Sequence, residues 1–220
     1  MTLQKDYQKI LNLKTYSVGE EIANSVTHGI GALLSLIGLI VLVNTANHSG
    51  DLWRVVSFSV FGGSMLLLYL ASTLYHSIQA PRVKFTFKKI DHIAIYILIA
   101  GSYTPFTLVS FRGSVGWTMF GIIWGIAVIG IIYKIFFIGR WRRFSTILYL
   151  GMGWIAVAAI QQMLETVEME GLLWMAAGGL FYTSGVIFYV WKKLPYHHAI
   201  WHGFVMGGSA CHYIAILYYV

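Results

Sequence analysis

Apolar residues fill seven long stretches of the chain, and polar and charged residues gather in the short intervals between them. Each stretch has the roughly 20 apolar residues that an α-helix needs to cross the ~30 Å hydrocarbon core of a bilayer. Because the connections are short, neighbouring helices should run antiparallel. We therefore predict an all-α integral membrane bundle of seven transmembrane helices. The predicted helices are 22–44, 53–77, 91–111, 115–133, 145–164, 171–191 and 197–219.

The composition agrees with this pattern. The 220 residues are 58% hydrophobic and 10% charged, with a mean hydropathy of +0.71, whereas about 25% of the residues of a soluble domain are charged. Residues 1–19 are polar and basic and have no apolar core, so we interpret them as a cytoplasmic N-terminal segment rather than a removable signal peptide. Residues 20–220 are then one membrane domain. The single Cys211 excludes an intramolecular disulfide and a cysteine-rich metal site.

The net charge of +7 is explained by topology. Apart from Arg54 and Arg112, every lysine and arginine precedes the first predicted helix or follows an even-numbered one, and the opposite loops carry an acidic run at 165–170. By the positive-inside rule, the N-terminus is cytoplasmic and the C-terminus is outside. The basic residues therefore predict orientation in a bacterial cell membrane and give no reason to expect a nucleic-acid partner.

With this topology, one level of the bundle collects most of the polar residues that lie at membrane depth. The end of the second helix and the starts of the first, third and seventh helices all lie in the cytoplasmic leaflet. Ionisable groups at such depths are costly and mark functional sites, and the outer half offers only His212. The residues at this level are Glu20, Glu21, Asn24, His28, Ser72, His76, Asp91, His92, His197, His198 and His202.

Three of these histidines predict a metal site. His198 and His202 are spaced i and i+4, so they share one face of the last helix. His76 closes the second helix at the same depth and would complete a three-histidine site with one coordination position open. The alternative interpretation is a hydrogen-bonded polar cluster without a metal.

Several neighbouring residues also have purely structural interpretations. Asp91 lies between a basic loop and an apolar run, where it would cap the third helix. Ser72 could bond back to a carbonyl one turn earlier, and His212 is best read as a helix-packing histidine. Pro105 lies inside the third predicted helix and should kink it.

Five short motifs occur in order along the chain: Glu21-x-x-Asn24-x-x-x-His28, Ser72-x-x-x-His76, Asp91, Gly101-Ser102-Tyr103-Thr104-Pro105 and His198-x-x-x-His202. Together they resemble the bacterial hemolysin III family, which is related to the adiponectin and progestin receptors and, more distantly, to the alkaline ceramidases. The resemblance implies a seven-helix fold with a cytoplasmic N-terminus. It also implies zinc as the cofactor, bound by His76, His198 and His202, with Asp91 and Ser72 near a water on the metal. No protein hormone is implied as a partner.

An open three-histidine zinc site is of the catalytic kind. Asp91 would then orient a water or take its proton, and Ser72 would hydrogen-bond a ligand or a substrate oxygen. Glu21, Asn24 and His28 are candidates for supporting the ligands. The expected partners are membrane lipids, and the expected function is hydrolysis of a lipid amide or ester, or lipid sensing, in membrane-lipid homeostasis.

Two other functions remain open. The family name suggests a pore-forming cytolysin, although the seven apolar helices favour a resident membrane protein. An ion or proton conductor would need a chain of polar side chains through the outer half. The sequence leaves open the substrate, the oligomeric state and whether the site turns over.

Overall fold

Seven helices long and apolar enough to cross a membrane make up the computed structural model, which describes residues 16–138 and 142–220, with the backbone alone at Arg142 and Arg143. The predicted all-α fold with seven spans is confirmed, and the described residues contain no strand. The predicted N-terminal segment lies outside the described residues as far as residue 15. The helices are α1 (Val18–His48), α2 (Leu52–Ser77), α3 (Pro81–Pro105), α4 (Ser114–Phe137), α5 (Arg142–Trp154, continued by Ile155–Ala159 and Ile160–Thr166), α6 (Met169–Val190) and α7 (His197–Tyr219).

Helix α1 begins at a capping box. The Ser17 hydroxyl accepts a hydrogen bond from the backbone N–H of Glu20 at 3.2 Å, and the Glu20 carboxylate accepts one from the backbone N–H of Ser17 at 2.9 Å. The backbone N–H groups of Ser17 and Glu20, which have no partner within the helix, are thereby satisfied. Glu20 and Glu21 lie in the first turn, where the helix dipole favours negative charge. The helix starts four residues before the predicted boundary, and this early start places Tyr16 at the edge of the bundle.

Helix α3 begins ten residues before its predicted start at 91. Pro81 opens it, because the fixed φ of proline suits the first helical position. The predicted capping role of Asp91 is therefore wrong, since this residue lies in the helix interior. The expected loop 78–90 shrinks to residues 78–80. Lys84 and Lys88, which the sequence predicts in a loop, are buried side chains of α3.

Two spans depart from regular α-helix, and Tyr103 links them. After Pro105 the third span continues through a π-helical turn, Phe106–Ser110, so the helix changes type at the residue where the sequence predicts a kink. The fifth span changes to 3₁₀-helix at Ile155–Ala159. There the Tyr103 hydroxyl accepts a hydrogen bond from the backbone N–H of Ala156 at 2.9 Å and donates one to the carbonyl of Gly153 at 2.7 Å.

The packing order of the helices determines where a site can form. Helix α2 packs between α1 and α3, α6 packs along α7, and α7 lies against α1. The α6–α7 contact is close because Gly178 faces the His212 ring, which occupies the space that a Cβ would need. Because α7 returns to α1, the ends of α1, α2 and α7 meet. We call this place the α1–α2–α7 junction.

Candidate metal centre

Three buried histidines meet at the α1–α2–α7 junction. His76 comes from the last turn of α2, and His198 and His202 come from the first two turns of α7. One ligand atom from each lies within 4.8 Å of the other two. The ring centroids are 5.1 Å apart for His76 and His198, 5.4 Å for His76 and His202, and 4.5 Å for His198 and His202. The cluster could therefore hold a metal ion.

The neighbours of two of these rings fix their tautomers. The Nδ1 atom of His202 lies 3.2 Å from the backbone carbonyl oxygen of Asn24. Nδ1 of His76 lies 2.6 Å from a carboxylate oxygen of Glu21. Because carbonyl and ionised carboxylate oxygens only accept hydrogen bonds, both Nδ1 atoms carry the proton. In the neutral rings each Nε2 then presents a lone pair, and neither Nε2 has a hydrogen-bond partner within the described parts of the chain. Metal-binding histidines are held in this way.

Further buried polar atoms without partners surround the rings. Among the residues that the structure describes, the Ser72 hydroxyl, the Asn24 side-chain oxygen and both ring nitrogens of His28 have none. Ser72 therefore does not make the bond back to its own helix that the sequence allowed. The His28 ring stacks on His202 with centroids 3.5 Å apart. Native proteins leave few buried polar atoms unsatisfied, so these are atoms that a bound ligand could satisfy.

Helix α3 brings a carboxylate towards the cluster. The partly buried Asp91 side chain lies 3.3 Å from Nδ1 of His92 and close enough to His76 and His202 to interact electrostatically with both rings. The early start of α3 leaves Asp91 at the depth that the sequence indicated, although its backbone setting is helix interior. Its role as a base stays a prediction.

Residues 16–213 match the sequence model of a family described as haemolysin-III related. The chain belongs to this family. It is 52% identical over 206 residues to Hemolysin-3 of Bacillus cereus, with 94% of each chain covered. It is 48% identical over 204 residues to the Hemolysin-3 homolog of Bacillus subtilis (strain 168), covering 93% of this chain and 96% of that protein. The human monocyte to macrophage differentiation factor is more distant, at 29% identity over 233 aligned positions that cover 100% of this chain and 95% of that protein.

Membership of the haemolysin-III family confirms the resemblance that the five motifs indicated. Together with the seven spans, it identifies the chain as a multi-pass bacterial membrane protein. Four of the five motifs supply residues to the α1–α2–α7 junction or to the α3 segment beside it. The remaining motif, Gly101-Ser102-Tyr103-Thr104-Pro105, lies elsewhere, and its Tyr103 hydroxyl bonds to the backbone of the broken helix α5.

Tyr16 is a residue of this haemolysin-III site that the sequence reasoning missed. Its ring stacks on His198 with centroids 5.3 Å apart and meets His76 edge-on at 5.7 Å, so it covers one side of the cluster. Burial, reinforced by nearby tyrosines and carboxylates, raises the pKa of the Tyr16 phenol well above its ordinary value. The signal was the Ser17-x-x-Glu20 capping box, which fixes the start of α1 and hence the depth of Tyr16.

Lys84 is the second residue that the sequence reasoning missed. Its ammonium lies 2.8 Å from a carboxylate oxygen of Glu21 and 2.9 Å from the carbonyl oxygen of Tyr75. A helix that begins at Pro81 places Lys84, Lys88 and Asp91 on one face at i, i+4 and i+7. The sequence contains that spacing, but a basic run before an apolar stretch predicts a loop.

Three other histidines of the spans bond to backbone carbonyls instead of joining the cluster. His197 Nδ1 lies 3.1 Å from the carbonyl of Phe188, and His92 Nδ1 lies 2.8 Å from that of Lys88. His212 Nε2 lies 3.3 Å from the carbonyl of Met175, across the α6–α7 contact. The packing role that the sequence favoured for His212 agrees with this position.

Proposed function

We propose that the protein is a zinc-dependent hydrolase of acyl amide or ester bonds in membrane lipids, with His76, His198 and His202 as metal ligands. The observation that carries the proposal is that Nδ1 of His76 and of His202 faces an acceptor on α1, while Nε2 of each has no partner among the described residues of the buried cluster. Three imidazoles are the ligand set of catalytic zinc sites that keep a coordination position open.

A zinc ion in such a site supplies Lewis acidity and makes water a nucleophile near neutral pH. The protein's own part is to hold the rings. The Glu21 carboxylate accepts a hydrogen bond from Nδ1–H of His76, and the Asn24 carbonyl accepts one from Nδ1–H of His202, so both rings keep their orientation. His28 packs flat on His202 and limits its rotation.

Asp91 and Ser72 would perform the proton transfer and the substrate contact. Asp91 takes the proton of the attacking water and passes it to the departing amine or alcohol. The Ser72 hydroxyl donates a hydrogen bond to the substrate carbonyl oxygen as negative charge develops there. Support for these roles comes from the position of Asp91 on α3 near His76 and His202 and from the absence of a partner for the Ser72 hydroxyl among the described residues.

The experiment compares detergent-purified wild type with the His202→Ala variant. Zinc is measured by elemental analysis, and the release of fatty acid is measured from liposomes that contain an acyl-amide lipid or an ester lipid. Wild type should carry about one zinc per chain and release fatty acid, and the variant should lose both. A zinc-free variant as active as wild type would refute the hydrolase. Zinc and lipid binding by wild type without turnover would identify the site as a lipid sensor.

The side of the membrane on which the site lies is a second part of the proposal. The site lies at the end of the bundle that carries most of the lysines and arginines, and the positive-inside rule assigns that end to the cytoplasm. The substrate would then enter sideways from the inner leaflet. A reporter fused after Val220 should report an outside location, and one inserted at residues 78–80 a cytoplasmic location. A cytoplasmic C-terminus would move the site to the outer leaflet and contradict this assignment.

A cytolysin is the second candidate function, and the observation that favours it is the name of the relative from Bacillus cereus, Hemolysin-3. A pore made by the helices would not depend on one ligand of a metal site. If lysis is a pore activity, red cells exposed to His202→Ala protein should lyse as with wild type. Lysis that is lost together with zinc would instead attribute the damage to chemistry on lipids.

A further inference from the structure

Lys84 is a buried cation near a metal-binding cluster, which is an unusual position. It has 2% of its surface exposed, and its ammonium lies over the Tyr75 ring, 5.1 Å from the centroid. Lysine is rarely buried unless its charge is compensated. Here the compensation is the carboxylate of Glu21, at 2.8 Å.

Glu21 uses its two oxygens for two different partners. One oxygen lies 2.6 Å from Nδ1 of His76, and the other lies 2.8 Å from the Lys84 ammonium. The carboxylate therefore lies between a lysine of α3 and a histidine of α2 while belonging to α1. Three helices are joined by one continuous chain of polar contacts that ends at a candidate metal ligand.

We propose that Lys84 is a positioning residue that sets the zinc affinity of the three-histidine cluster by holding Glu21 against His76. This inference rests on the proposed metal function. The Glu21 side chain is 11% exposed and stands one turn from the start of α1, so a carboxylate without Lys84 can turn towards solvent. The His76 ring would then lose the acceptor that aims its Nε2 at the metal.

An opposing effect must be weighed against this one. The ammonium is positive and repels a divalent cation, so its removal alone would strengthen binding. The Glu21 carboxylate lies between Lys84 and His76, however, and the pair presents its negative end to the ligand. Because Lys84 contacts the carboxylate directly and reaches the cluster only through it, we expect the loss of the held acceptor to dominate.

The test is the zinc dissociation constant of the purified full-length protein, measured by competition with a chromogenic chelator. The Lys84→Met variant should bind zinc about 10–100-fold more weakly than wild type, which is the usual effect of removing a supporting residue behind a ligand. Lys84→Arg keeps a cation within reach of the carboxylate and should recover most of the affinity. Equal or tighter binding by Lys84→Met overturns the inference.

Lys89→Met is the matched control. Lys89 belongs to the same helix, but its ammonium bonds to the carbonyl of Ile135 at 3.2 Å, away from the cluster. This change removes the same charge from the same end of the bundle, and the zinc affinity should stay as in wild type. Equal weakening by Lys89→Met and Lys84→Met would assign the effect to net charge and overturn the inference.

A double-mutant cycle separates positioning from a general loss of folding. If Lys84 acts through Glu21, Lys84→Met should change the zinc affinity of a Glu21→Gln protein by less than about twofold. Additive losses in the double variant would refute the route through Glu21. A lowered melting temperature of metal-free Lys84→Met with an unchanged zinc affinity would show that Lys84 only braces the helices. Wild type without zinc would refute the proposed function itself, whereas zinc-loaded wild type beside an unaffected Lys84→Met would refute only this inference.

Discussion

The α1–α2–α7 junction and the α6–α7 contact both bury histidine and hydroxyl groups, but they satisfy them in different ways. Beside the α6–α7 contact, the Tyr69 hydroxyl donates to the Ser209 oxygen at 2.7 Å, and the Tyr182 hydroxyl lies 2.9 Å from the same oxygen. One ring nitrogen of His212 bonds across to a backbone carbonyl, and the ring fills the space over Gly178. These groups use one another as partners and hold helices together.

At the junction, two of the histidine rings are hydrogen-bonded to the described residues through one nitrogen only. Acceptors on α1 hold the Nδ1 atoms of His76 and His202, while the two Nε2 atoms have no partner among the described residues. At the α6–α7 contact most of the polar groups named above are paired, and Nδ1 of His212 alone among them has no partner within the described residues. The junction thus concentrates buried polar atoms that a ligand from outside the chain could satisfy.

Replacing one of the three histidines should abolish zinc binding at the junction without affecting the α6–α7 contact, and this is the largest effect we expect. Replacing His76 or His198 by Ala leaves two imidazoles, too few to compete with buffer for zinc, so the metal content should fall from about one per chain to nearly none. His212→Ala should keep its zinc and lower the thermal stability. Elemental analysis and thermal unfolding of the three variants check this, and full zinc retention in His76→Ala would leave the polar-cluster interpretation standing.

Asp91→Asn should separate catalysis from metal binding at the junction. The change keeps the size of the side chain and leaves the three histidines in place, but removes the proposed base. We expect zinc content and melting temperature to stay as in wild type, while lipid hydrolysis falls by about 10²–10⁴-fold. The measurement is the rate of fatty-acid release at saturating zinc. An unchanged rate would show that Asp91 takes no part in the chemistry.

Gly178→Ala should affect only the α6–α7 contact. Its new Cβ would overlap the His212 ring and approach the Gly208 carbonyl oxygen at 3.1 Å, so the two helices must move apart. Overpacking of this kind costs about 1–3 kcal/mol, and the thermal midpoint should fall without loss of zinc. The matched control is Gly179→Ala, whose Cβ would meet Trp154 at an ordinary 3.5 Å. Loss of zinc in Gly178→Ala would mean that the two regions are coupled.

The smallest effect should come from Tyr16, whose ring covers one side of the junction. Tyr16→Ala removes the ring from His198 and His76, so a chelator should extract zinc several-fold faster. Tyr16→Phe keeps the ring and should exchange zinc as wild type does. Equal extraction rates for wild type and Tyr16→Ala would show that the ring does not control access.

The seven spans could be predicted because the length of an apolar stretch is a local property of the chain. The start of α3 could not, because burial of Lys84 depends on a carboxylate that α1 supplies from far away in the sequence. Without that partner in view, a run of lysines reads as a loop. The sequence therefore placed Asp91 at a helix start, although it lies well inside α3.

The three-histidine cluster could be predicted from the i, i+4 spacing in α7 and the matching depth of His76, and the structure brings these residues together. Which ring nitrogen faces the cluster could not be predicted, since the tautomer follows from the Asn24 carbonyl and the Glu21 carboxylate. Tyr16 was missed because its depth depends on a start of α1 that hydropathy alone places four residues too late.

The link from Tyr103 to the broken helix α5 also bears on how the protein is assembled. Hydrocarbon offers no partner to a free backbone N–H or carbonyl, so a span with an interrupted ladder is incomplete by itself. At the interruption in α5, the Tyr103 hydroxyl accepts a hydrogen bond from the backbone N–H of Ala156 and donates one to the carbonyl of Gly153. The fifth span thus reaches its final form only beside the third, and the order of synthesis along the chain supplies that neighbour first.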